Sequence, residues 1–124
     1  MPFASFDIET QNALSTTDAT PTTILNAEMP ADSSALFFLL VIAKSTTNGA
    51  TRNWALIQPR KRVGVGNATV VGSAADLLPS SADSGTAGWA LSVSSVGDRI
   101  NMQVTGAAGT TINWYAKISG MSLQ

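Results

Sequence analysis

Eight carboxylates are all that this 124-residue chain offers to acid–base chemistry: Asp7, Glu9, Asp18, Glu28, Asp32, Asp76, Asp83 and Asp98. Two of them brought together by the fold would make the donor pair of a glycoside hydrolase. Most, however, stand among Gly, Pro, Ser and Thr, where an Asp side chain accepts a nearby backbone N–H and shapes a turn. The chain has no histidine and no cysteine, which removes most nucleophilic triads and soft-metal sites together. No serine sits in a Gly-x-Ser-x-Gly elbow. The run Gly64-Val65-Gly66-Asn67-Ala68-Thr69 begins like a phosphate-cradling loop, but it lacks the last glycine and opens no helix. The residues therefore predict a protein that is not an enzyme and needs no cofactor and no metal.

Two other groups could bind rather than react. Arg60-Lys61-Arg62 is the one basic cluster. In a strand its side chains alternate between faces, so they read either as a solvated edge that discourages strand addition or as partners in ion pairs between subunits. Trp54, Trp89 and Trp114 could stack sugars if exposed. Trp89 and Trp114 head alternating apolar series, which assigns them to the core; Trp54 is undecided. A groove shared by Trp54 and Tyr115 would mark a glycan binder.

The elements that must position these residues are strands. Leu91 and Val93, then Ile100, Met102 and Val104, then Ile112, Trp114, Ala116 and Ile118 alternate with polar residues across three runs separated by Gly97-Asp98 and by Gly106-Ala107-Ala108-Gly109. Period two predicts a three-stranded meander with one face in the core. Leu36-Phe37-Phe38-Leu39-Leu40-Val41-Ile42 loses the alternation and predicts a strand buried on both faces. Asn48-Gly49 after it is a hairpin corner. Residues 52–62 predict a strand that Pro59 marks as an edge or bulge, and 68–72 a short one. A helical turn is expected over 74–78, followed by a loop. Pro21 belongs at a strand start, and Met29-Pro30-Ala31-Asp32-Ser33-Ser34 is a turn by its residue types. Seven or eight strands in one domain predict an all-β, two-sheet antiparallel sandwich of jelly-roll type.

Residues 1–12 read as an N-terminal arm before a domain over 13–124. Its large apolar residues Phe3, Phe6 and Ile8 are candidate inter-subunit contacts, together with Arg60, Lys61 and Arg62. Only 12% of residues are charged, against about 25% in ordinary soluble domains. With 44% hydrophobic residues, a surface so poor in charge predicts that part of it is covered by copies of the chain or by a partner, the alternative being an ordinary Ser/Thr-coated sandwich monomer. The net charge of −1 gives no electrostatic footprint for nucleic acid or a membrane surface. No leader is visible at the N-terminus, and the longest apolar run, residues 35–43, falls short of the roughly 20 needed to span a bilayer.

Val104-Thr105-Gly106-Ala107-Ala108-Gly109-Thr110-Thr111-Ile112-Asn113-Trp114-Tyr115-Ala116, preceded by Gly88-Trp89-Ala90-Leu91-Ser92-Val93, resembles a short domain that recurs in virion proteins of tailed bacteriophages. Residues 16–24, Thr16-Thr17-Asp18-Ala19-Thr20-Pro21-Thr22-Thr23-Ile24, are similar to the opening of that domain. The resemblance spans roughly residues 15–119, with a looser middle, and its motifs are turn glycines, an inward tryptophan and Thr-rich strands. It implies a virion structural role with no catalytic or ligand site to carry over. The form it implies is a capsid cement or decoration protein, a homotrimer clamped over joints between major capsid subunits. The alternative is a tail or fibre module that binds a host glycan.

Overall fold

The computed structural model describes residues 5–72 and 75–124. Among these are nine strands and no helix: β1 (Ser5–Thr16), β2 (Thr22–Glu28), β3 (Ser33–Ser45), β4 (Thr51–Arg62), β5 (Ala68–Val70), β6 (Ala75–Ala82), β7 (Ala90–Val96), β8 (Arg99–Thr105) and β9 (Ile112–Leu123). They make an all-β sandwich. A six-stranded sheet runs β1-β9-β3-β4-β5, with β6 also on β4, and faces a three-stranded sheet β2-β8-β7. Every pairing is antiparallel. The pairs β1–β9 and β2–β8 nest one inside the other, which is the wrapping expected of a jelly roll; the β3–β4 hairpin then widens the large sheet.

The alternation of the sequence explains the core. Phe37, Leu39, Val41 and Ala43 of β3 and Ile112, Trp114, Ala116 and Ile118 of β9 point inward from the large sheet. Ile100, Met102 and Val104 of β8 meet them from the small one. On β2 the consecutive residues Ile24 and Leu25 are both buried, because a register shift between Thr23 and Leu25 inserts one residue and re-aims the strand. Trp114, 1% exposed, is the centre of the aromatic packing. Its ring stacks on Trp54 at 5.7 Å and meets Trp89 at 6.3 Å, and its Nε1 donates to the Thr16 hydroxyl at 2.9 Å. Gly120 is a packing glycine, since a Cβ there would come within 2.6 Å of the Leu36 carbonyl oxygen and 2.9 Å of the Phe37 ring.

Five expectations differ from what is found. The last three runs are not a meander: β7 and β8 form a hairpin in the small sheet, while β9 crosses to the large sheet between β1 and β3. The crossing is made by residues 106–111, where Gly106 lies against Thr16 too closely for a side chain. The strand over Leu36–Ile42 is not buried on both faces, because Leu40 and Ile42 are exposed. Residues 75–78 belong to β6, not to a helical turn; they pair with Ala55, Leu56 and Ile57 through an irregular register. Residues 5–12, read as an arm, are continuous with residues 13–16 in β1 and pair with β9 from Ser5–Leu123 to Thr16–Ile112. Finally, of the edge or bulge expected in β4, the edge is not found, since β3 covers one side and β5 and β6 share the other, while the β4–β6 register is irregular between Asn53 and Leu56 and not at Pro59. Pro59 falls between the β6 pairing, which ends at Ile57, and the β5 pairing, which begins at Arg60, so its missing N–H is spared a ladder position.

Candidate interaction surfaces

The pleat sends alternate residues of β1, β9, β3 and β4 to the outer face of the large sheet. On β3 these are Leu36, Phe38, Leu40 and Ile42, and the paired residues on β9 include Met121, Lys117 and Tyr115. Among the described residues no strand packs over this face, and Leu36 and Phe38 are half-buried. Ile42 and Met121 are each 55% exposed, and Leu40, Tyr115 and Leu123 nearly as much. Ile57 and Pro59 of β4 extend the stripe in register with Phe38 and Leu36. At the β1 side the face turns acidic with Asp7 and Glu9. The Glu9 carboxylate accepts from the Lys117 ammonium at 2.7 Å, and that hydrogen bond, with the attraction of the two charges, holds the Glu9 carboxyl below its ordinary pKa and Lys117 above its own.

A second apolar surface lies at one end of the sandwich. Val63 and Val65, in the loop after β4, are 72% and 84% exposed, and Val96 at the β7–β8 turn is exposed beside them. The loop is held rigidly. Arg62 donates to the carbonyls of Gly66 (2.8 Å), Met29 (2.9 Å) and Val65 (3.2 Å), and its guanidinium lies 3.9 Å from Asp98. Gly64, at φ +58°, donates to the Asp32 carboxylate at 2.6 Å, and Asp32 returns the bond to the Gly64 carbonyl at 3.0 Å. The Ala68 N–H reaches Gly97 at 2.9 Å and ties the loop to the neighbouring turn. Two valines are thus fixed in water by a network of charge-assisted bonds, which are among the stronger kinds.

A groove of about 430 Å³ opens where the three-stranded sheet ends over the six-stranded one, between Arg52, Trp54, Leu56 and Gln58 of β4 and Leu91 and Val93 of β7. Arg52 donates to the carbonyls of Thr86, Ala87 and Trp89 and lies 5.1 Å over the Trp54 ring. Trp54 faces this inner side and Tyr115 the outer face, on opposite sides of the same sheet, so the two share no groove.

The residues singled out from sequence are dispersed. Phe3 lies outside the described residues. Phe6 and Ile8 are both on the inward side of β1; Ile8 packs against the core, whereas Phe6 stays largely exposed at the end of the sandwich. Arg60 and Arg62 point inward and Lys61 outward, as period two requires. Arg60 is buried, donating to Gln58 Oε1 at 2.7 Å and Ser95 Oγ at 2.6 Å; desolvation lowers its pKa. Arg62 is occupied by the valine loop, so of the three only Lys61 is presented outward. The outer-face residues Leu40, Ile42 and Met121 were missed, and Tyr115 was weighed only together with Trp54, although Leu36–Ile42 carried the signal: a run apolar on both faces must either be covered twice or leave one face apolar. Asp18, Asp32 and Asp83 each accept a backbone N–H in a turn. Asp98 and Glu28 both pair with Arg99. Among the described residues no three His, Cys, Asp or Glu side chains gather as a metal site.

No protein-family model matches this chain, and no curated protein matches its sequence. Among solved structures, the tailspike protein of Acinetobacter baumannii phage AM24 is similar, with a TM-score of 0.38 and 12% identity over 93% of this chain. The chain corresponds to 26% of the length of that tailspike.

Proposed function

We propose that this chain is a structural protein of a bacteriophage virion, in the form of a capsid cement or decoration protein that ties subunits together and does no chemistry. The observation that carries the reading is the pair of apolar surfaces on one rigid sandwich, the outer face of the large sheet and the valine end. A protein that bridges needs two such surfaces, and a monomer working alone has use for neither. The sequence resemblance supplies the virion context. Burying a valine or leucine side chain in a neighbour contributes about 1.5–3 kcal/mol, so a few anchors on preformed elements suffice for a specific contact. The glycan-binding alternative loses its platform through the separation of Trp54 and Tyr115.

Electron cryomicroscopy of the particle that carries the chain tests the proposal. Density for the sandwich at joints between coat subunits is the expected result. Density confined to the tail, or absence of the chain from purified particles by mass spectrometry, overturns it.

A further inference from the structure

We infer that the outer face of the large sheet is covered by the same face of a second copy of the chain, around a two-fold axis parallel to the strands. This deepens the structural reading above by naming the occupant of one surface. Its test uses the isolated chain, so it fails or stands separately from the particle location.

Area is the first argument. The four long strands β1, β9, β3 and β4 contain 12 or 13 residues each. At about 4.8 Å between strands and about 3.3 Å per residue they cover roughly 19 by 40 Å, or about 770 Å². A stable interface of standard size takes about 800 Å² from each partner. The face is therefore large enough for one copy; along its middle, Leu36, Phe38, Leu40 and Ile42 of β3 run beside Tyr115, Lys117, Ser119 and Met121 of β9.

Charge selects the copy and its orientation. Among the described residues neither Asp7 nor Lys61 has an ion-pair partner within the chain, and both lie exposed on this face, Asp7 on β1 and Lys61 on β4. The strand order β1-β9-β3-β4 has its midpoint between β9 and β3. A two-fold parallel to the strands at that midpoint lays β1 over β4 of the copy and β9 over β3. Asp7 is in register, through Met121 and Leu36, with Pro59. It therefore comes to rest over Pro59 of the copy, and Lys61 is the next residue on that face, about 7 Å along the strand, within reach of a lysine stem. The same operation sets Tyr115 over Ile42 and Met121 over Leu36, apolar on apolar, and Ser119 and Lys117, the latter already paired with Glu9, over Phe38 and Leu40. A two-fold running across the strands would instead lay β1 on β1 and β4 on β4, so Asp7 and Lys61 would never meet. The face is thus complementary to itself in one orientation, the condition for an isologous dimer.

Sedimentation of the chain at micromolar concentration should give a species of twice 12.8 kDa. Asp7→Lys alone and Lys61→Asp alone should each weaken association by about tenfold or more, and the double exchange Asp7→Lys with Lys61→Asp should restore it. Leu40→Glu, on an exposed position, should give a monomer whose far-ultraviolet circular dichroism matches that of the parent chain. A parent chain that is monomeric, or trimeric as the family resemblance implies, overturns the inference. A dimer indifferent to both charge reversals, or unrepaired by the double exchange, overturns the axis.

Discussion

Replacing Trp114 by alanine tests the packing on which both surfaces depend. The indole is 1% exposed, lies between Trp54 and Trp89, and donates its N–H to Thr16. Alanine removes the ring from a region where β9 is flanked by β1 and β3, so the walls cannot collapse far. Large aromatic truncations in cores cost about 3–5 kcal/mol. The loss here falls toward the upper end, because two ring contacts, each about 0.5–1.5 kcal/mol, disappear with the buried area. Against a total stability of about 5–15 kcal/mol, a loss of about 4 kcal/mol lowers the melting temperature by roughly 15 °C for a domain of this size. Trp114→Phe keeps most of the volume but leaves the Thr16 hydroxyl without its donor, and should cost about half as much. Thermal melting followed by far-ultraviolet circular dichroism is the assay, since fluorescence would change with the tryptophan itself. If Trp114→Ala melts within about 2 °C of the parent, the aromatic cluster does not hold the sheets together and the reasoning fails.

Gly120→Ala should destabilise the domain by about 1–3 kcal/mol, because the new methyl meets the Leu36 carbonyl and the Phe37 ring; urea titration measures it, and an unchanged midpoint would contradict the close approach. Glu9 titrates below its ordinary value because of Lys117, so its contribution is complete above the usual glutamate pKa and is lost as pH falls through the lowered one. Carboxyl chemical shifts followed by NMR should show this, and Lys117→Met should return the Glu9 midpoint upward. Val63→Ser with Val65→Ser should leave stability within about 0.5 kcal/mol while reducing cosedimentation with assembled particles. Equal binding by the variant would remove the valine end from the contact.

Much of the fold was legible because period two is a local signal. Ile100, Met102, Val104, Ile112, Trp114 and Ala116 all lie inward as alternation requires. What alternation cannot carry is partnership. Nothing in residues 112–123 says that they pair with residues 5–16 rather than with the hairpin just before them, since that choice is made by distant contacts and by the room that Gly106 leaves. Residues 75–82 escaped because Asp76 and Pro79 weaken strand propensity, and the pairing with β4 overrides it. The basic triplet was read correctly in its alternation, but composition does not say that the inward members find carbonyl, amide and hydroxyl acceptors. The candidate surface was half legible: the apolar run over residues 36–42 was plain, but its uncovered side depends on the small sheet having three strands and lying on the other face.

The place of β9 has a consequence for how the protein is made. It is the last of the nine strands to leave the ribosome, yet it stands between β1 and β3 in the large sheet. Until it arrives, the twelve residues of β1 have no ladder to join and one side of β3 offers bare N–H and C=O groups, an invitation to pairing between chains. The large sheet therefore closes after synthesis of the domain, in a step dominated by contacts remote in sequence, which is the slow regime for small domains. Nascent chains held close together on one message, each with that gap open, are placed to fill it with a neighbour's β9, so that domain-swapped assemblies are the characteristic error of this topology.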